Sequence, residues 1–197
     1  MQVPVGLEVH PESSCRSADP ERRVGILGLG ELGAACARAL VALNFDVAGW
    51  ARRPKEIAGM ACHAGEGGLE TVLARSEILV LLLPHTPETE SLLDAGTIAK
   101  LPDGAVILNP GRGALIDDDA LLAALDAGHI GHATLDTFRV EPLPDDHPFW
   151  RHPKVTVTPH IASETRASTA AQVIAENIRR GEAGEPFLHL VDRTAGY

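Results

Sequence analysis

One arginine and one histidine in this sequence stand in loops where they could handle a small carboxylic acid. Arg112 lies between two glycines in the segment 109–113 (N-P-G-R-G), so a ligand carboxylate could accept two hydrogen bonds from its guanidinium. His160 lies in a separate loop, where an acidic residue of the segment 135–144 could pair with it, fix its tautomer and favour its proton-donating form. The alternatives are a turn with an incidental arginine and a histidine that is structural or merely exposed.

A glycine-rich segment offers a place for a dinucleotide. Residues 24–33 read V-G-I-L-G-L-G-E-L-G, an apolar run that enters G-x-G-x-x-G and continues into a helical pattern. The first glycine permits a tight turn, the second leaves room for a pyrophosphate, and the third lets the helix pack closely on the strand. The helix N-terminus then presents N–H groups to phosphates. The predicted cofactor-binding residues here are Gly28, Gly30, Glu31, Leu32 and Gly33.

Basic residues after the second predicted strand favour a phosphorylated ribose. A site that prefers NAD usually has an acidic residue about 20 positions after the glycines, where it binds the ribose hydroxyls. Arg52 and Arg53 occupy that place, with Lys55 close behind. Because cations attract a 2′-phosphate, the sequence predicts NADP as cofactor, with NADPH preferred over NADH. A solvated pair of surface arginines is the alternative.

Composition limits the classes of function. The 17 Lys and Arg against 27 Asp and Glu give a net charge of −10, which disfavours nucleic acid and anionic membranes as partners. We recognise no signal peptide and no apolar run near the roughly 20 residues of a membrane span. The 3 cysteines lack C-x-x-C spacing, which favours reduced thiols and a cytoplasmic location. The 9 histidines show no ligand spacing, so we predict no metal site.

Strands and helices alternate along the chain and must position these residues. The strands are predicted at 23–28, 45–50, 78–83, 104–108, 133–136 and 155–157. The helices are predicted at 31–43, 69–75, 88–93 and 163–180, with one more after the aspartates at 117–119. This order predicts an α/β fold, a doubly wound parallel sheet with helices on both faces. The polar segments follow strand ends, which is where such sheets bind ligands.

Taken together, these segments resemble the D-isomer-specific 2-hydroxyacid dehydrogenases, and most closely their glyoxylate/hydroxypyruvate reductase A group. The resemblance covers about residues 23–197 and implies a Rossmann-type NAD(P)-binding domain. It rests on the segments 28–33, 50–52, 82–89, 109–113, 135–144, 149–162, 184–186, 191–193 and 196–197. Thr137 stands where the family usually has valine, a difference from which we expect little consequence.

The resemblance implies roles for individual residues. Arg112 would orient a 2-oxo acid, Glu141 would be the acid of an acid–histidine pair, and His160 would be the proton donor. Asp136 would contact the nicotinamide carboxamide, and Pro84 would line the cofactor cleft. The implied reaction is hydride transfer from NADPH to C2 of a small 2-oxo acid such as glyoxylate or hydroxypyruvate.

The residue pattern and the resemblance together predict how the chain is divided. We expect a poorly ordered arm at 1–22, a dinucleotide-binding domain at 23–162, and a C-terminal helix and tail at 163–197. Family members carry a substrate domain of roughly a hundred residues before the dinucleotide domain, and residues 1–22 do not resemble it. The tail returns to that domain in the family, so its apolar residues Leu188, Leu190 and Val191 are expected to be exposed or covered by the arm or a second chain. A homodimer is one alternative, since family members are commonly dimers.

Two hypotheses of different class follow. The first is a reductase. The second is a truncated, non-catalytic NAD(P)-binding module that keeps the cofactor site without a closed substrate pocket. The joint presence of Arg112, Glu141 and His160 favours the reductase.

Overall fold

A computed structural model describes residues 22–163, 165–191 and 193, so the predicted arm lies, except for its last residue, outside the described residues. The strands are β1 (Arg23–Leu27), β2 (Asp46–Ala51), β3 (Ala61–Ala64), β4 (Ile78–Leu81), β5 (Ala105–Asn109), β6 (Ile130–Leu135) and β7 (Val155–Val157). The helices are α1 (Glu31–Ala42), α2 (Gly65–Arg75), α3 (Ala95–Ile98), α4 (Asp118–Asp126) and α5 (Ala167–Ala183). Short 3₁₀ turns cover Gly113–Leu115 and Pro148–Trp150.

All strand pairs of the sheet are parallel, and the spatial order is β3-β2-β1-β4-β5-β6-β7. The order reverses between β1 and β4, because the chain leaves β1 for β2 on one side and later returns to β4 on the other. In an open parallel sheet, a ligand binds beyond the strand ends at this reversal. The topology therefore places the predicted glycine turn, which follows β1, at the expected ligand site.

Apolar side chains fill a separate core on each face of the sheet. In β4, Leu79 and Leu81 belong to the larger core, whereas Val80 belongs to the smaller one. Buried residues of α2, α3 and α4 complete the larger core, and α1 covers the smaller one. This alternation across a buried strand confirms the predicted doubly wound fold.

The prediction was wrong at two places in the first half of the chain. The helix predicted at 88–93 is a series of turns, in which the backbone N–H of Thr86 donates to Thr89 Oγ1. The helix forms later, as α3, because Asp94 caps it and exchanges hydrogen bonds with Thr97. The short edge strand β3 was not predicted, since its sequence A-C-H-A has none of the β-branched residues typical of strands.

Helix α5 differs from the others because none of its residues is buried. It begins and ends later than predicted, and Gly184 terminates it in the left-handed conformation with φ 68°. Leu190 and Val191 are exposed, as expected, whereas Leu188 is half-buried and its N–H donates to Asn177 Oδ1. No helix in the described part of the chain is long and apolar enough to cross a membrane.

Thr137 affects the stability of the fold more than we expect from the sequence. It follows β6 and is only 3% exposed. Among the described residues, its Oγ1 is buried without a hydrogen-bond partner. A buried hydroxyl in this state loses its hydration without compensation, which destabilises the folded protein.

We therefore predict that Thr137→Val raises the free energy of unfolding by about 1 kcal/mol, because a methyl group replaces the unsatisfied hydroxyl. Urea unfolding followed by circular dichroism measures the change. Thr134→Val, at a half-buried position of β6, is the matched control and should stay within about 0.5 kcal/mol of the parent chain. A Thr137→Val chain no more stable than the parent would contradict the prediction.

Candidate functional site

The glycine turn after β1 is held by close backbone contacts. Gly28 has φ 103°, and a Cβ there would lie 2.5 Å from the carbonyl oxygen of Leu82. A Cβ on Gly33 would lie 1.8 Å from the carbonyl oxygen of Gly28, so the start of α1 approaches β1 as closely as backbone allows. Gly30 faces open space and caps α1 without a side-chain hydrogen bond. The N–H groups of the first helical turn are thus available to an anion.

One cleft of about 620 Å³ joins this turn to the other predicted site residues. Its lining includes Gly28, Gly30, Glu31, Leu32, Gly33, Arg52, Arg53, Pro84, Arg112 and His160. The volume is within the range of sites for small ligands and cofactors. Asp136 and Glu141 are not part of the lining. Glu141 pairs with His160, which is, and Asp136 hydrogen-bonds residues on either side of His160.

One part of the cleft carries several charges. Arg52, Arg53 and Lys55 follow β2 there, and the exposed Glu88 adds a carboxylate from the loop after β4. Hydrogen bonds from the Thr86 side chain and from the backbone N–H of Glu88 itself lower the pKa of Glu88. Burial opposes this, and the charge of Arg52 is the smallest of the effects that lower the pKa. Sequence reasoning missed Glu88, although its place in a loop after a buried strand could have signalled it.

Asn109 supports the loop that carries Arg112. Its buried side chain donates from Nδ2 to the carbonyl oxygen of Arg112 (3.0 Å) and accepts at Oδ1 from the N–H of Gly111 (3.1 Å). Arg112 itself is exposed, and one of its guanidinium N–H groups donates to the carbonyl oxygen of Gly111. The guanidinium therefore stands on a rigid turn at the edge of the cleft.

Glu141 and His160 come together across two loops. His160 Nδ1 lies 2.9 Å from Glu141 Oε2, and the N–H of Phe138 donates to Glu141 Oε1 at 3.0 Å. The Phe138 N–H has the largest effect and lowers the pKa of Glu141. Burial opposes this, and the hydrogen bond and charge of His160 and the charge of Arg112 lower the pKa further. Glu141 is therefore a carboxylate at neutral pH, beside an imidazole that is itself part of the cleft lining.

Asp136 holds the loop on which His160 stands. It is 3% exposed, and Oδ1 accepts hydrogen bonds from Thr158 Oγ1 (2.5 Å) and the N–H of Ile161 (3.0 Å), while Oδ2 accepts one from the N–H of Ala162 (2.9 Å). Burial raises the pKa of Asp136, but these hydrogen bonds and His160 outweigh it, so the pKa is lowered. His160, which lies between Thr158 and Ile161 in this loop, has a left-handed backbone conformation with φ 53°. A contact of Asp136 with a carboxamide stays a prediction.

Arg139 ties the Arg112 loop to the Glu141 loop, a role that sequence reasoning missed. Its guanidinium donates to the carbonyl oxygens of Ile116 and Ala114, to Ser91 Oγ and to Glu90 Oε1. The Arg139 loop also contains Glu141, and the segment 113–116 directly follows Arg112. One side chain therefore links the arginine loop to the acid loop.

The parallel sheet, the glycine turn and the cleft define a dinucleotide-binding domain with an acid–histidine pair beside the cofactor site. The chain belongs to the D-isomer specific 2-hydroxyacid dehydrogenase family, since residues 12–162 match the model of that family's NAD binding domain. This confirms the family that the sequence segments resemble.

Known relatives agree with this assignment. Glyoxylate/hydroxypyruvate reductase A of Serratia proteamaculans is 45% identical over 186 residues, which are 92% of this chain and 59% of the relative. A D-isomer specific 2-hydroxyacid dehydrogenase from Xanthobacter autotrophicus Py2, solved with NADPH and MES, is 53% identical with a TM-score of 0.86, over 90% of this chain and 74% of that one. The NADPH-dependent glyoxylate/hydroxypyruvate reductase of Sinorhizobium meliloti, solved with NADP and sulfate, is 39% identical with a TM-score of 0.84, over 89% of this chain and 57% of that one. The chain thus spans less than two thirds of the curated relative's length.

We predict that Asp136→Asn destabilises the fold by about 2 to 3 kcal/mol at neutral pH, because an amide offers one acceptor oxygen where the carboxylate offers two. A lowered pKa means that the carboxylate stabilises the fold above the unfolded-state value near 3.9 and that this stabilisation is lost as pH falls through the lower folded-state value. The difference between the two chains should therefore shrink below about pH 4.

Urea unfolding at neutral and acidic pH measures this difference, and amide hydrogen exchange at Ile161 and Ala162 reports the loop directly. Asp145→Asn, an exposed carboxylate in the loop before β7, is the control and should change stability by less than about 0.5 kcal/mol. A stability difference that does not depend on pH would contradict the role of the ionised Asp136.

Proposed function

We propose that this chain binds NADP and that its cleft serves the reduction of a small 2-oxo acid to a 2-hydroxy acid. The observation that carries the proposal is the single cleft that contains the glycine turn, the cations after β2, and both Arg112 and His160. The names of the relatives, which include NADPH-dependent reductases and complexes with NADPH or NADP, support it. Glyoxylate and hydroxypyruvate are the proposed substrates because two relatives carry these names.

The residues fit a dinucleotide from end to end. The free N–H groups at the start of α1 suit a pyrophosphate, and Arg52 and Arg53 suit a 2′-phosphate. Pro84, which lines the same cleft as these groups and Arg112, would bound the cofactor on one side. When bound, NADPH supplies the hydride for the reaction.

The remaining steps belong to side chains of this chain. Arg112 would bind the substrate carboxylate through paired N–H groups and stabilise charge on the reacting oxygen. His160 would give a proton to that oxygen as the carbonyl becomes an alcohol. Glu141, ionised beside Nδ1, would keep the ring oriented and offset its positive charge before the transfer.

The first test concerns the cofactor. Arg52→Ala should weaken NADPH binding by about 1.5 to 3 kcal/mol more than NADH binding, because only NADPH offers a phosphate for charged hydrogen bonds. Fluorescence titration with both cofactors measures the two affinities. Arg38→Ala removes an exposed arginine of α1 that is not part of the cleft lining, and it should leave both unchanged. Equal losses for NADPH and NADH in Arg52→Ala would contradict the proposed phosphate site.

The second test concerns turnover. The His160 side chain is 52% exposed and Arg112 is exposed as well, so water reaches the reacting groups, and we expect the 197-residue chain to bind NADPH but to reduce glyoxylate slowly. His160→Asn should lower this rate by at least about 100-fold, because the proton donor is lost. Asparagine tolerates the left-handed backbone of this position, so the loop should be preserved.

NADPH oxidation in the presence of glyoxylate measures the rate, and NADPH titration of the same samples shows that the cofactor site is filled. Turnover equal to that of a full-length relative would contradict the expected slow rate, and a rate unaffected by His160→Asn would contradict the proton donor. NADPH binding with no turnover in the parent chain would favour the non-catalytic NAD(P)-binding module.

A further inference from the structure

We propose that Glu88 determines how strongly the cleft prefers NADPH over NADH, because its carboxylate competes with a 2′-phosphate for Arg52. The proposal rests on the proposed cofactor site and adds a residue to it that acts against the phosphate. The proposal gives a role to an acidic side chain that lines the same cleft as the basic residues.

The sheet topology brings Glu88 to this place from a distant part of the chain. Strand β1 lies between β2 and β4, so the loops after β2 and β4 flank the glycine turn from its two sides. Arg52 and Lys55 belong to the first loop and Glu88 to the second, and all three line the same cleft. Glu88 and the basic residues therefore reach the same cleft from loops on opposite sides of the glycine turn.

The loop that carries Glu88 is well fixed. The N–H of Thr86 donates to Thr89 Oγ1 at 2.8 Å, and that hydroxyl donates in turn to the carbonyl oxygen of Pro84 at 2.7 Å. Thr86 and Thr89 are both buried, while Glu88 between them is exposed. The hydrogen bond from the Thr86 side chain and the charge of Arg52 lower the pKa of Glu88, so the side chain is a carboxylate at neutral pH.

NADPH and NADH interact differently with the negative charge of Glu88. A 2′-phosphate carries between one and two negative charges at neutral pH, so it is repelled by the Glu88 carboxylate and competes with it for the positive charge of Arg52. The 2′-hydroxyl of NADH is neutral and can donate a hydrogen bond to a carboxylate. Glu88 thus weakens NADPH binding and leaves NADH binding unchanged or stronger. It therefore reduces the preference for NADPH over NADH that the basic residues create.

The experiment compares dissociation constants for NADPH and NADH in the parent chain, Glu88→Gln and Glu56→Gln. We expect Glu88→Gln to tighten NADPH binding roughly threefold to tenfold at low ionic strength without tightening NADH binding, so that the preference for NADPH rises. The gain should shrink in high salt. Glu56 is an exposed carboxylate near Lys55 that is not part of the cleft lining, so Glu56→Gln should leave the preference within a factor of about two.

Each other outcome overturns the inference. An unchanged preference in Glu88→Gln would show that the carboxylate does not affect the phosphate, and a reduced preference would show that Glu88 instead positions Arg52 to bind it. An equal gain in Glu56→Gln would assign the effect to net charge rather than to this site. A parent chain that binds neither cofactor would overturn the proposed function as well, whereas a parent chain that prefers NADPH limits the failure to Glu88.

Discussion

The position of His160 depends on one buried carboxylate. Asp136 stands at the end of β6 and accepts three hydrogen bonds from the segment 158–162, which follows the three-residue edge strand β7. So short a strand, bonded on one side only, cannot by itself fix the loop beyond it. Hydrogen bonds to an ionised group contribute about 1.5 to 3 kcal/mol each, enough to hold the loop and the left-handed conformation of His160 inside it.

The segment that follows β6 also positions the loop that carries Arg112. A Cβ on Gly113 would lie 1.9 Å from the carbonyl carbon of Phe138, so the backbone after Arg112 lies directly against the backbone before Glu141. Arg139 then bonds across this contact to the carbonyl oxygens of 114 and 116. The group proposed to bind substrate and the acid of the acid–histidine pair therefore form one unit, and the charge of Arg112 contributes to the lowered pKa of Glu141.

The sequence could predict what depends on local pattern. Apolar runs predicted every strand of the sheet except β3, and the glycine spacing predicted the turn after β1, because these signals lie within a few neighbouring residues. The supports of the site could not be predicted in this way. Asp136 acts on residues 22 to 26 positions away, and Arg139 acts on residues 23 to 49 positions away. An aspartate after a strand or an arginine in a loop has no local mark of such a role. The effect of Thr137 on stability could not be predicted either. Its hydroxyl destabilises the fold because the surrounding packing leaves it without a hydrogen-bond partner among the described residues.

The structure supports the proposed cofactor site and the proposed reacting groups to different degrees. The glycine turn, the basic residues and Glu88 all stand on loops of one rigid sheet whose core is buried, so the proposed cofactor site is supported throughout. The groups proposed to react are less well enclosed, because His160 is 52% exposed and the described residues leave Arg112 open to solvent. Hydride transfer benefits from the exclusion of water, and α5, the helix nearest in sequence to His160, buries none of its residues. The described residues therefore place the groups proposed to react without enclosing them, and in the proposed reaction the exposure of Arg112 and His160 would limit the rate more than the cofactor loops would.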